Sequence, residues 1–531
     1  MSGRVRSVWV ITREYAGIAE AGGVKNVACS LAEGLARRGL EVTAMIPRYG
    51  CVAQDGDYLF SRTIRVLGSE HEVRFSVLTV NGVRIVLLSS AIFREKREVY
   101  VYSELEESVI PGAVRGKGHH DGDCMNVVLQ AGVLEYARYL GRAPDLVHCQ
   151  DAHTACLPAM ARTLPEWKSP FSRTSFVTTI HNAGPGYRQV IPGIHRAASL
   201  TGLDERVLSG AFLNGNVEPF LLSASYGNLS TVSPWYASEL VSPDYSPYSE
   251  GLSAELARRG TPIEGIVNGI DVHRYEPSDT SRSCLPHAFD PESGDLEGKY
   301  RCRDSFLELL HDFPTTGELA SFGTLDDAPH AVYFAYHGRV VWQKGLDTLV
   351  AAARTVLARS GDARFVVLGQ GAAELEALLM EMSRLYRGRF AFIRGYERSL
   401  ARLTVAQADF LVLPSLFEPC GLEDYIGQIF GTIPIAHAVG GLQKILHGRN
   451  GFLYASHGHE TSVADLAAVL LEHAERVAAS PGRGCAHMDD YSRIIRFAAR
   501  HVREECNWDR IIDERYLPYY ESVVPNDTFA R

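Results

Sequence analysis

The sequence predicts an α/β protein of two Rossmann-like lobes facing a central cleft, and three observations carry that prediction. Short apolar runs alternate with amphipathic helical stretches, as parallel βαβ construction requires. The alternation comes in two series, separated by a polar, turn-rich region from about Pro277 to Ala328 that contains PSDTSRS, DPESGD and FGTLDD. Finally, a chain of 531 residues outgrows a single hydrophobic core and divides.

In the first series, SVWVIT (Ser7 to Thr12) and EVTAMIP (Glu41 to Pro47) read as buried strands. The helix between them places Val24, Val27, Ala28, Leu31 and Leu35 at helical spacing. PDLVHC (Pro144 to Cys149), SFVTTIH (Ser175 to His181) and NLSTVS (Asn228 to Ser233) continue the strands, and each ends in polar residues or glycine, where a doubly wound sheet opens its binding crevice. The second series runs through AVYFAYHG (Ala331 to Gly338), RFVVLG (Arg364 to Gly369), RFAFIRG (Arg389 to Gly395), DFLVLP (Asp409 to Pro414) and TIPIAH (Thr432 to His437). These patterns give a first lobe over 1–277, a polar connection or insertion over 278–330, a second lobe over 331–500 and a C-terminal helical segment over 501–531. WDRIIDERYLPYYESVV within that last segment has the content of a helix that docks.

Composition removes several classes of function. A net charge of -10 argues against a nucleic-acid binder, which needs an excess of Lys and Arg. The ten cysteines include no C-x-x-C pair and read as reduced, buried or incidental thiols, without zinc. The N-terminal apolar run is too short for a signal peptide, and no run is long enough to span a bilayer. A cytoplasmic protein without a membrane partner is expected; the sequence sets no oligomeric state.

Chemistry concentrates at strand ends. After the strand ending at Gly338, a loop carries Arg339 and Lys344 before Gly345 opens a helix. Two cations beside free helix amides suit a diphosphate, both in the ground state and as a leaving group. Glu418 follows the strand ending near Leu413, before a turn through Pro419, Cys420 and Gly421, and Gly440 and Gly441 follow the next strand. A carboxylate among such glycines suits a sugar, through its hydroxyls or a developing positive charge. On the residues alone, Arg339 and Lys344 are equally two solvated cations, Glu418 a helix-dipole partner, His153 a structural histidine and Tyr396 a loop aromatic. The pair Gly22 and Gly23, where a strand hands over to a helix, marks a close approach to the backbone, two residues after Glu20.

Six strings in order, HCQDAHT (His148 to Thr154), TIHN (Thr179 to Asn182), TVSPWYASEL (Thr231 to Leu240), GIVNGID (Gly265 to Asp271), RVVWQKG (Arg339 to Gly345) and EPCGL (Glu418 to Leu422), together resemble the bacterial glycogen synthase and plant starch synthase family. The match runs from about Ser7 to Phe452. The resemblance implies a GT-B-type glycosyltransferase fold and a retaining, metal-independent hexosyltransferase without a cofactor. Its partners are a nucleotide-sugar donor, ADP-glucose first, and an α-glucan acceptor that is extended at its non-reducing end. It further implies that Arg339 and Lys344 bind the diphosphate, that Glu418 lies against the donor sugar, and that His153 faces the reacting carbon. Tyr396 then stacks on the nucleobase. Gly22, Gly23, His181, Asn182, Cys420, Gly421, Leu422, Gly440 and Gly441 line the substrates, and the last helix returns to the first lobe.

The sequence departs from the family where the phosphates belong. Glu20 stands where the family has a phosphate-contacting lysine, with Lys25 the nearest cation in the following helical turn. Glu423 and Asp424 replace small polar and amide residues, and His437 and Lys444 also differ. These departures leave two other readings open, a non-catalytic glucan-binding or regulatory homologue and a transferase with another donor.

Overall fold

The structure is a computed structural model that describes residues 5–313, 319–328, 330–455, 458–480 and 482–525. The chain forms two compact units, Met1–Asn268 with Trp508–Arg531, and Gly269–Asn507. The divisions thus fall at Asn268 and Asn507 rather than at 277 and 500, and the turn-rich stretch belongs to the second unit. Parts of the expected 278–330 connection (314–318 and 329) and of the C-terminal segment (526–531) lie outside the described residues.

In the first unit a nine-stranded sheet runs in the order Ile263–Gly265, Asn228–Thr231, Ser175–Ile180, Leu146–Gln150, Ser7–Ile11, Glu41–Pro47, Val83–Ser89, Ser69–Val80, Asp57–Val66. The first seven are mutually parallel, and the last two are added antiparallel. Chain order reverses between Ser7–Ile11 and Leu146–Gln150, which makes their C-terminal ends the switch point where doubly wound sheets bind ligands. Helix Val24–Arg37 covers this sheet through Val27, Ala28, Leu31 and Leu35, all buried. Trp508–Val523 closes the same unit: a Cβ on Gly34 would meet Ile512 Cδ1 at 2.2 Å, and the Tyr520 hydroxyl is 2.7 Å from His148 Nδ1.

In the second unit, strands Phe390–Arg394, Ala363–Gly369, Val332–His337, Phe410–Leu413, Ile433–His437 and Phe452–Tyr454 are parallel neighbours, with Ala320–Phe322 antiparallel at one edge. Here the switch point lies between Val332–His337 and Phe410–Leu413. The turn-rich stretch also supplies a core element, helix Glu297–His311, whose Lys299 and Arg303 are fully buried. Lys299 Nζ donates to the carbonyls of Ala406 (2.6 Å), Ala408 (2.7 Å) and Phe430 (3.2 Å) and to Thr432 Oγ1 (2.8 Å). Burial, with the Arg303 charge adding to it, pushes this ammonium down to about 7. Arg303 lies 3.0 Å from the equally buried Asp409 and over the ring of Tyr333 at 4.3 Å. Among the described residues no helix is long and apolar enough to cross a membrane.

Candidate active site

The first switch point carries Gly22, Gly23 and His153 and the second Arg339, Lys344 and Glu418, while His181, Asn182, Tyr396, Gly440 and Gly441 follow neighbouring strands. In the first unit the strand Ser7–Ile11 feeds a loop whose organising residue is Glu14, which the sequence reading passed over. Its buried carboxylate accepts from the amides of Ala21 (3.1 Å) and Gly22 (2.5 Å) and from the Tyr100 hydroxyl (3.1 Å). A Cβ on Gly22 would lie 3.0 Å from Glu14 Oε1, whereas one on Gly23 would meet open space. The first glycine is therefore needed for the approach of the loop's own carboxylate. Burial pushes the Glu14 carboxyl above its ordinary range against the pull of these donors.

Glu20 is turned onto its own loop. Its carboxylate accepts from the Gly17 amide (2.6 Å) and sits 3.8 Å from Lys25 Nζ, so the two charges offset each other.

At the end of Leu146–Gln150, Asp151 adopts φ 66°, ψ 177°, a backbone region that essentially only glycine visits freely. Burial pushes its carboxyl up to about 8, against the pull of the amides of Ala152, His181 and Asn182 that face it. This acid ties the turn that carries His153 to the segment that carries His181 and Asn182. His153 is buried, held neutral by burial and by the Arg13 charge, with its ring 5.0 Å from that of Tyr100. His181 Nε2 is 2.8 Å from Gln150 Oε1, and Asn182 Oδ1 accepts from the Gly184 amide. Gly22, His153, His181 and Asn182 are thus linked through Glu14, Tyr100 and Asp151, with Gly23 beside them in the loop. Only the positive φ at Asp151 marks its importance, and no sequence pattern announces it.

In the second unit Lys344 and Glu418, separated by 74 residues, meet with Nζ 2.5 Å from Oε2. Ser415 donates to the same oxygen at 3.0 Å. Burial works to raise the Glu418 carboxyl, but the Lys344 ammonium, the Ser415 hydroxyl and the charge of Lys444 together hold it below its ordinary value. Two contacts fix this loop. The Leu416 amide donates to Gln343 O (2.9 Å), and the Gly441 amide donates to Glu418 O (2.8 Å). Gly345, at φ 66°, passes so close to Pro414 that a Cβ would lie 2.0 Å from its carbonyl oxygen. A Cβ on Gly441 would lie 2.2 Å from Cys420 O, which packs the second glycine pair against the Glu418 loop. Arg339 is exposed and forms no ion pair among the described residues.

The two acidic departures in this unit have cationic neighbours. Glu423 Oε2 is 2.9 Å from His337 Nδ1, and Asp424 Oδ1 is 2.9 Å from Lys444 Nζ. Burial opposes protonation of His337, yet Glu423 outweighs it and raises the imidazole above its ordinary value. Tyr396, 64% exposed, is stacked against His337 with ring centroids 6.1 Å apart, beside the Glu423 pair.

Two parallel α/β units, each with its chemistry at a switch point, define a GT-B glycosyltransferase. Comparison with known proteins makes this specific. Residues 7–258 match the family model for the starch synthase catalytic domain, and residues 331–473 match glycosyl transferases group 1. A glycogen synthase of Anaeromyxobacter sp. is 30% identical over 450 residues, covering 83% of this chain and 86% of the relative. One from Myxococcus xanthus is 28% identical over 530 residues, covering 98% and 99%. The catalytic domain of starch synthase IV from Arabidopsis thaliana, bound to ADP and acarbose, superimposes with a TM-score of 0.76 at 21% identity, covering 98% of this chain and 100% of that one. The chain belongs to the glycogen synthase and starch synthase family. It is a hexosyltransferase of that type, moving glucose from a nucleotide sugar to a glucan.

Proposed function

We propose that the donor is ADP-glucose and that the glucosyl unit is added, with retention, to the non-reducing end of an α-1,4-glucan. The observation that carries this reading is the Lys344–Glu418–Ser415 cluster at the second switch point. Lys344, with the exposed Arg339, supplies positive charge to the diphosphate as the glycosidic bond to it breaks. Glu418, kept ionised, lies against the donor sugar, where it accepts from hydroxyls and steadies the positive charge that develops at the reacting carbon. Tyr396 offers an open ring face to the nucleobase. The amides of Cys420, Gly421, Leu422 and Gly440 line phosphate and sugar, whereas that of Gly441 is given to Glu418 O and holds the loop itself. His153, neutral and buried, faces the reacting carbon with His181, Asn182, Gly22 and Gly23 around the substrates. Retention follows from front-face substitution, in which the departing phosphate takes the acceptor hydroxyl's proton and the protein contributes positioning and charge. An arabidopsis relative bound to ADP and acarbose supports the choice of nucleotide and of an oligosaccharide acceptor. We further place the enzyme in the cytoplasm.

Incubation with a glucan primer and ADP-, UDP- or GDP-glucose, with the released nucleoside diphosphate measured, tests this. ADP-glucose is expected to support the fastest turnover. Faster release from UDP-glucose would overturn the choice of nucleotide, and no release from any donor would overturn the reading as a whole.

A second expectation concerns Glu20. Its carboxylate neutralises Lys25, so Glu20→Lys adds positive charge and releases that lysine as well. Because Glu20 is 41% exposed, solvent screens the effect: donor Kd is expected to fall by about threefold to tenfold at low salt, and by less at moderate salt. Calorimetry at both salts decides it, and equal affinities would show that this loop stays clear of the phosphates.

A further inference from the structure

Lys444 and Asp424 both depart from the family pattern, and the fold brings them together. Lys444 Nζ lies within hydrogen-bond reach of the carbonyl oxygens of Cys420 (2.7 Å), Gly421 (2.8 Å) and Gly441 (3.2 Å), and 2.9 Å from Asp424 Oδ1. It also lies 4.6 Å from the centre of the Tyr425 ring. The two side chains are 7% and 0% exposed. An ammonium has three protons, so four oxygens around it describe a caged cation shared among them.

The cage has a directional consequence. In a trans peptide the carbonyl and the following amide point in opposite directions. Drawing the carbonyls of Cys420 and Gly421 onto Lys444 therefore turns the amides of Gly421 and Leu422 away from it. Neither amide donates to a protein acceptor among the described residues. Gly421 sits at φ 73° and Leu422 at φ -121°, ψ -19°, so the two successive N–H groups lie at a sharp bend, the form of a backbone anion cradle. The loop is further held by the packing of Gly441 onto Cys420 O.

We infer that Lys444 is the positioning residue that holds the Gly421 and Leu422 amides open toward the donor's diphosphate, with Asp424 keeping its ammonium in place. This rests on the reading that the donor's phosphates bind at the second switch point. It differs from a phosphate-contacting lysine, because the ammonium is occupied by carbonyls and acts through the amides on their far side.

The test is Lys444→Met combined with Asp424→Asn, which removes the cage without leaving a buried unpaired charge. ADP affinity by calorimetry, the KM values for ADP-glucose and for glucan, and thermal unfolding are measured on the full chain. The double variant is expected to unfold cooperatively, with ADP Kd and donor KM raised about tenfold or more, the scale of losing two charge-facing hydrogen bonds, and glucan KM changed by less than about twofold. Lys444→Arg serves if the double variant does not fold: it keeps the charge but not the compact donor geometry, and donor KM is expected to rise while glucan KM holds. A folded double variant that binds ADP as tightly as the wild type overturns the inference, as do donor and glucan KM values that rise together. Failure of the wild type itself to bind ADP or UDP would instead overturn the underlying donor reading.

Discussion

Replacing Lys344 by Ala is expected to lower kcat by about 10² or more while the fold is retained, the scale of losing one preorganised contact to developing charge. The 2.5 Å approach to Glu418 adds a second signature. Lys344 is the largest of the influences that keep the Glu418 carboxyl low against burial, with Ser415 and Lys444 behind it, while Asp424 and Tyr336 also lie within its field. Without Lys344 the carboxyl titrates at higher pH, and the acid limb of the kcat profile should move upward. Arg339→Ala is expected to slow turnover while moving that limb far less, because Lys344, Ser415 and Lys444 are the main groups that hold Glu418 ionised. Near-normal kcat in a folded Lys344→Ala protein would remove this lysine from the mechanism.

The largest expected loss of stability lies elsewhere, at Arg303. Its guanidinium is 3.0 Å from Asp409, and both side chains are fully buried. Asp409 also accepts from the amides of Tyr333 and Cys485 at 3.0 Å each, which joins the strand Val332–His337 to the segment near residue 485. Arg303→Ala leaves this carboxylate buried without its counter-charge and is expected to destabilise the second unit by about 3–5 kcal/mol. Adding Asp409→Asn should recover part of the loss, since the amide carries no charge to strand. Differential scanning calorimetry of both variants measures it. An Arg303→Ala protein that melts with the wild type would show that the pair is not a keystone of that unit.

Much of the fold was legible because parallel strands are buried on both faces and so appear as unbroken apolar runs. Each strand expected from such a run is present, with its ends displaced by no more than two residues. The antiparallel additions Asp57–Val66 and Ser69–Val80 escaped notice because one face of each is exposed, and Arg62, Thr63, Arg65, Glu70, Glu72 and Arg74 interrupt their apolar pattern. Helix Glu297–His311 was hidden for a different reason: its buried positions include Lys299 and Arg303, which read as surface until their acceptors, more than 100 residues away, are folded around them.

The site divides in the same way. Lys344 and Glu418 stand at the ends of predicted strands, and the fold places them in contact. What no linear pattern supplies is pairing. Glu20, Glu423 and Asp424 read as three charges hostile to a phosphate, but Lys25, His337 and Lys444 lie against them. The reason to suspect a non-catalytic homologue in those departures weakens once each acid has its base. Glu14 went unweighed because its work is done through backbone amides, and amides leave no mark in a sequence.

The seating of Trp508–Val523 in the first unit also bears on how the chain is made. That unit is completed by residues synthesised after all of Gly269–Asn507, a span of 239 residues (507 − 269 + 1). At about 5–20 residues per second, translation of that span takes roughly 12–50 s. Throughout this interval the nascent first unit presents an open seat along helix Val24–Arg37, around Gly34, and beside His148, to be filled later by Ile512 and Tyr520. On the ribosome, therefore, the half of the enzyme that emerges first is the half that matures last, and its unfilled seat is where a holding chaperone has most to cover.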